Sequence, residues 1–206
     1  MKKRVLSLLL CLFVLSMQAQ EIAVIPQPAQ MSVGEGKFLF EGKVVIAYPK
    51  AKESGIDAVV DNFANELECA TGIKLKKAYL KRSSLKPGRK IGINKKVSVN
   101  KCRTKGDAHI VLDIDSSLSE EAYTLDVYEK RIDIRAAKPA GFFYALQTLK
   151  QLMPRNVMAG VPDASVKEWS VPVVKIADEP RFGWRGFMLD EGRHFYGKEE
   201  VKKILD

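Results

Sequence analysis

The residues best suited to chemistry lie near the end of the chain, in R-G-F-M-L-D-E-G-R-H-F, Arg185 to Phe195. An apolar run, Phe187-Met188-Leu189, gives way abruptly to Asp190, Glu191, Gly192, Arg193 and His194. A continuous apolar strand buried on both faces belongs to a parallel sheet or a barrel. Where such strands end, α/β enzymes place their ligand contacts. An arginine there offers a planar fork of donors to paired oxygens, whether of hydroxyls, a carboxylate or a phosphate. Arg193 is therefore a candidate ligand-binding residue, with Asp190 and Glu191 as orienting carboxylates. The alternative is a rim salt bridge from Arg193 to Asp190 or Glu191, with no ligand involved.

The elements that must position these residues follow from periodicity. Ile22 to Ile25 reads as a short extended segment before Pro26-Gln27-Pro28. Met31-Ser32-Val33 and Lys37 to Phe40 flank Gly34-Glu35-Gly36, a hairpin signal, and Val44 to Ala47 is another short strand. Ile56, Val59, Val60, Phe63 and Leu67 have helical spacing, closed by Thr71-Gly72. Strands are expected at Ile73–Tyr79, Lys90–Asn94 and His109–Ile114. They are followed by a hairpin in which Tyr123, Leu125 and Val127 face Ile132, Ile134 and Ala136 across Glu129-Lys130. A second helix opens at Pro139, carries Phe142, Leu146, Leu149 and Met153 on one face, and stops at Pro154.

About eight strands with two long helices, joined by hairpins, predict an α+β fold: an antiparallel or mixed sheet with both helices on one face. That domain is expected over residues 21–155. Residues 156–177 read as a linker, although Val171 to Ile176 is extended, and residues 178–206 read as strand, loop and helix, the first βα unit of something longer.

Composition narrows the class. Lys2-Lys3-Arg4, the apolar Val5–Leu15 and the small, polar Ser16–Gln20 form a secretory signal, residues 1–20, cut beside Ala19 or Gln20. A lipoprotein signal through Cys11 fits less well, because Leu10 stands where a small residue is expected. No later segment approaches membrane-spanning length, so an exported, soluble protein is expected. The net charge is +9, yet from Cys69 to Gly106 there is no acid and thirteen basic residues. Without these and the three of Lys2-Lys3-Arg4, the rest of the chain sums to −7. The basic run is either a solvated face or a surface for polyanions such as sulfated glycans. Its single aromatic, Tyr79, speaks against stacking on nucleic acid. Cys69 and Cys102 remain after signal removal. Export permits a disulfide between them, while two free, partly buried thiols are the simpler reading.

D-E-P-R-F-G-W-R-G-F-M-L-D-E-G-R-H-F resembles the opening of the catalytic domain in family 20 glycoside hydrolases, the β-N-acetylhexosaminidases. A-G-F-F-Y-A-L-Q-T-L-K-Q-L-M-P, Ala140 to Pro154, resembles the second helix of their N-terminal domain, and I-P-Q-P-A-Q, Ile25 to Gln30, its first strand. The resemblance implies the start of an eight-stranded TIM barrel after the α+β domain, and for Arg193 a grip on the 3- and 4-hydroxyls of a terminal sugar. It gives no role to Glu191, Gly192 or His194, so His194 is expected hydrogen-bonded beneath the barrel rim rather than acting as a base. Trp184 is expected in interdomain packing.

The same resemblance implies substrate-assisted hydrolysis without metal or cofactor. The sugar's acetamido oxygen attacks, a glutamic acid protonates the leaving oxygen and a preceding aspartate steadies the acetamido group. That pair belongs on a later barrel strand, so neither Asp178-Glu179 nor Asp190-Glu191 is it, and a truncated, inactive piece of an enzyme is expected. The competing reading is a non-catalytic module that binds glycans or polyanions.

Overall fold

The computed structural model describes residues 22–50, 55–80, 109–190 and 192–205. The signal, the strand at Lys90–Asn94, most of the basic run, Cys102 and Glu191 fall outside these residues.

Among the described residues seven strands form one mixed sheet. They are β1 (Gln30–Leu39), β2 (Val45–Pro49), β3 (Lys76–Leu80), β4 (Ile110–Ile114), β5 (Tyr123–Val127), β6 (Ile132–Ala136) and β7 (Ser170–Asp178), in spatial order β1-β7-β5-β6-β4-β2-β3. β2, β3, β4 and β6 run parallel to their shared neighbours, whereas β5, β7 and β1 pair antiparallel. Three helices are described: α1 (Ile56–Thr71), α2 (Pro139–Leu152) and α3 (Lys198–Leu205). α1 links the parallel strands β2 and β3, the connection that a parallel pair demands.

Alternation in the strands meets helical spacing in one core. Ile46, Ile110, Leu112, Leu125, Ile134, Val174 and Ile176 face Val60, Phe63 and Leu67 of α1 and Phe142, Leu146 and Leu149 of α2. Both helices therefore cover one face, as expected. Lys150 of α2 reaches Glu66 of α1 at 2.6 Å, tying the two together. On the opposite face Val45, Ala47 and Ala78 form a small second cluster.

Two readings are corrected. The glycines at 34 and 36 do not turn a hairpin: β1 runs on as one strand along β7, with an irregularity between Val33 and Lys37. A Cβ at Gly36, where φ is +93°, would stand 2.6 Å from Glu129 Oε1, so the glycine makes room for a bulge. The expected linker, 156–177, is largely structured as well. Arg155–Ala159 is a 3-10 turn and β7 lies between β1 and β5, with Val171, Val174 and Ile176 buried. An alternating apolar strand with two neighbours offering ladders is far from a linker. Among the described residues the last strand of the sheet ends at Asp178.

Candidate functional site

The end of β7 is fastened before the candidate segment begins. Asp178 accepts a bond from the Ala29 amide at 3.0 Å and from the Tyr123 hydroxyl at 3.2 Å. Tyr123 also shares a 2.7 Å bond with Thr148 of α2. Burial, with the nearby Asp178 charge, pushes the Tyr123 phenol up to about 12, so it stays a neutral donor. Glu179 accepts from the Ser119 hydroxyl at 2.8 Å.

Six residues later Arg185 is bound by the same loop, which joins β4 to β5. Its Nη2 lies 2.6 Å from Glu121 Oε1 and 3.2 Å from the Tyr144 hydroxyl of α2, and Nη1 donates to the Phe182 carbonyl. Tyr144 donates to the same Glu121 oxygen at 3.1 Å, closing a triangle. The Arg185 bond holds the Glu121 carboxyl below its ordinary range, and the Tyr144 bond adds to this.

Beyond Arg185 the segment stands clear of the sheet. Phe187 and Met188 are 73% and 89% exposed, and no strand forms here, against the expectation of a buried one. A strand needs a neighbour's ladder, and among the described residues none lies beside residues 186–190. Trp184, expected in packing between domains, is 87% exposed. Asp190 then shapes a tight turn: Oδ1 accepts from the amides of Gly192 at 3.0 Å and Arg193 at 3.1 Å. Its Oδ2 meets Arg193 Nε at 3.2 Å, while the Arg193 side chain is 92% exposed.

The pair with Asp190 is therefore present and leaves the Arg193 guanidinium exposed. Asp190 takes Nε, and among the described residues no bond to either Nη of Arg193 is found. His194 is exposed rather than held under a rim, and meets Tyr196 edge-on at 4.6 Å. Of the residues singled out in the sequence, the structure brings together Asp190 and Arg193. It adds Ser119, Glu121, Tyr144 and Arg185, for which spacing gives no signal beyond the presence of Arg185 in W-R-G.

Among the described residues no group of three His, Cys, Asp or Glu side chains could hold a metal ion. Cys69 is a free, exposed thiol rather than a partly buried one. A shallow cavity of about 270 Å³ lies elsewhere, on the sheet between Thr124, Asp126, Arg135 and Lys175, and none of its lining belongs to the Arg193 segment. This cavity is open to solvent, and within its lining Arg135 Nη2 donates to Asp126 Oδ2 at 3.2 Å.

Known proteins share this layout. Residues 21–179 match the family model described as glycosyl hydrolase family 20, domain 2, and residues 182–206 match that of the glycosyl hydrolase family 20 catalytic domain. The chain is 31% identical over 185 residues to the beta-hexosaminidase of Porphyromonas gingivalis, covering 90% of this chain and 21% of that protein. The GH20 beta-N-acetylhexosaminidase structure from Streptomyces coelicolor superposes with a TM-score of 0.66 at 29% identity, over 88% of this chain and 31% of that one. The GH20 exo-beta-N-acetylglucosaminidase of Vibrio harveyi in complex with N-acetylglucosamine gives 0.59 at 26% identity, over 88% and 23%. The chain thus spans about a fifth to a third of the length of these relatives. With one family model covering its folded domain and a second covering the arginine turn, the chain belongs to glycosyl hydrolase family 20.

Proposed function

We propose that this chain is the N-terminal part of an exported β-N-acetylhexosaminidase that removes terminal, non-reducing N-acetyl-D-hexosamine residues from glycans. One observation carries the reading. The Asp190–Arg193 turn lies within the stretch matching the family 20 catalytic domain and leaves the arginine's Nη groups without a bond among the described residues. Arg193 holds the 3- and 4-hydroxyls of the terminal sugar, and Asp190 fixes the plane of its fork. That one similar structure holds N-acetylglucosamine supports a hexosamine as the sugar.

In the proposed reaction the acetamido oxygen attacks the anomeric carbon and displaces the leaving oxygen, and water then opens the cyclic intermediate from the other face; two inversions retain the configuration. A glutamic acid protonates the leaving oxygen and a preceding aspartate orients the acetamido group. We place that pair on a later barrel strand, after Asp206. Two carboxylates of this chain are unsuited to such chemistry, since Asp178 is occupied by Ala29 and Tyr123, and Glu179 by Ser119. Lys2 to Gln20 supports export as a signal. No helix among the described residues is long and apolar enough to cross a membrane.

The test uses the polypeptide in which this chain continues through a complete catalytic domain. It should cleave a chromogenic N-acetyl-β-glucosaminide and leave the matching β-glucoside, which lacks the acetamido group, essentially intact. Equal rates on both would remove the substrate-assisted mechanism.

A further inference from the structure

We propose that Glu121 and Tyr144 are positioning residues for Arg193. By seating Arg185 they fix where the sugar-binding turn departs from the α+β domain. This rests on the proposed role of Arg193, and it gives the α+β domain a part in placing the sugar-binding turn.

The seat is prefabricated on two elements. In the loop between β4 and β5, Asp115 accepts from the Ser117 amide at 3.0 Å and its hydroxyl at 2.6 Å, and the Asp115 amide donates to Ala136 of β6 at 3.0 Å. The loop ends at Ala122, whose amide donates to the Ser119 carbonyl at 3.2 Å. α2 lies against this end so closely that a Cβ on Gly141 would run into the Ala122 carbonyl. Residue 141 is one turn before Tyr144, and Ala122 directly follows Glu121. The close approach therefore sets the separation of the carboxylate and the phenol that receive Arg185.

The load on this seat is high because little else holds the segment. Ser119 binds Glu179 upstream, and beyond Arg185 the residues Phe187, Met188 and Arg193 are exposed. Arg193 lies eight residues after Arg185, at most about 29 Å of extended chain, so an anchor at Arg185 restricts where the turn can stand. A guanidinium held by a carboxylate and a phenol also has its direction set, which a point charge would not provide.

The experiment compares tryptic cleavage after Arg185 with cleavage after Arg193 in the same 206-residue chain, for wild type, Glu121→Gln and Tyr144→Phe. Trypsin must take the arginine side chain, so a seated Arg185 is protected and the exposed Arg193 is an internal control. Each variant should raise the Arg185-to-Arg193 cleavage ratio, on the order of fivefold for Glu121→Gln, as expected when a partly exposed ion pair controls local opening. An unchanged ratio in both variants overturns the seat. Unfolding would also raise the ratio, so the thermal midpoint of each variant is measured alongside, and where Glu121→Gln has lost the fold, Tyr144→Phe, which removes one hydroxyl, decides the matter.

A second arm uses the polypeptide with a complete catalytic domain. Glu121→Gln should raise KM for a chromogenic N-acetylglucosaminide more than it lowers kcat, and unchanged KM overturns the positioning role. If Arg193→Lys leaves discrimination against a 4-deoxy substrate unaltered, the reading of Arg193 fails while the cleavage result still reports on the seat.

Discussion

Asp190 holds Arg193 at two places, by its Oδ1 on the Arg193 amide at 3.1 Å and by its Oδ2 on Nε at 3.2 Å. One carboxylate thereby sets both the turn and the orientation of the guanidinium plane. An exposed pair of this kind contributes only about 0–1 kcal/mol to stability, so its value is geometric.

In the complete enzyme, Arg193→Lys should keep the charge and lose the fork. Hydrogen bonds to charged groups are worth roughly 1.5–3 kcal/mol each, so kcat/KM should fall on the order of tenfold to a few hundredfold. Asp190→Asn should lower it less, because the amide oxygen still accepts from the two backbone groups. If both variants instead lower the thermal midpoint and leave kcat/KM alone, Arg193 is only a rim salt bridge.

The 206-residue chain alone should release no detectable product from a chromogenic N-acetylglucosaminide. In the proposed mechanism Arg193 binds sugar, but protonation and acetamido orientation belong to a pair on a later strand. Turnover by pure, sequence-verified chain would place the acid within these residues.

The parts of the fold that are legible in the sequence are those in which periodicity and packing agree. α1, α2 and the β5–β6 hairpin stand within a few residues of their expected positions, because each presents one continuous apolar face to the core. β1 reads as a hairpin because glycines that permit a bulge look the same as glycines that permit a turn. β7 reads as the end of a linker because its register depends on β1 and β5, some 140 and 50 residues away. At the site, Asp190 and Arg193 are legible because the bond between them is local. Glu121, Tyr144 and Arg185 are not, since their triangle joins a loop, a helix and a coil that share no periodicity.

β7 lies within the sheet between β1 and β5 rather than in a linker, so it should be as stable as its neighbours. Amides of Val171 to Ile176 should exchange as slowly as those of the β5–β6 hairpin, whereas residues 186–197 should exchange fast. Ile176→Ala, at a nearly fully buried position facing α2, should cost about 2–5 kcal/mol. Rapid exchange across Val171–Ile176 would mean that β7 is peripheral.

Gly141→Ala should be among the most damaging single-methyl additions in the chain. The new Cβ would meet the Ala122 carbonyl and stand 2.8 Å from the Ala136 Cβ, and backbone cannot swing aside as a side chain can. Overpacking of this kind costs roughly 1–3 kcal/mol, more than the ~1 kcal/mol that alanine gains over glycine by helix propensity. A thermal midpoint equal to or above wild type would show that α2 has room to shift.

A buried carboxylate on β4 gives the fold a pH dependence of known sign. Asp113 has one oxygen, Oδ1, without a hydrogen-bond partner, and burial raises its carboxyl above the ordinary 3.8. The Ile114 amide and Arg135, its cross-strand neighbour, pull the other way, and Asp115 and Asp133 add to the rise. Because the folded chain binds this proton more tightly than the unfolded one, the group favours folding below pH 3.8. That contribution disappears as pH climbs through the raised folded value. At neutral pH the ionised Asp113 is therefore a net liability. Asp113→Asn keeps an acceptor for the Ile114 amide and removes the charge, so it should stabilise at pH 7, by about 1 kcal/mol, since the side chain is partly reached by water. The gain should shrink as pH is lowered towards 3.8 and vanish below it. Denaturant melts of both proteins from about pH 3 to 7 measure this difference directly. A difference that grows towards acid would mean that Arg135 outweighs burial at Asp113.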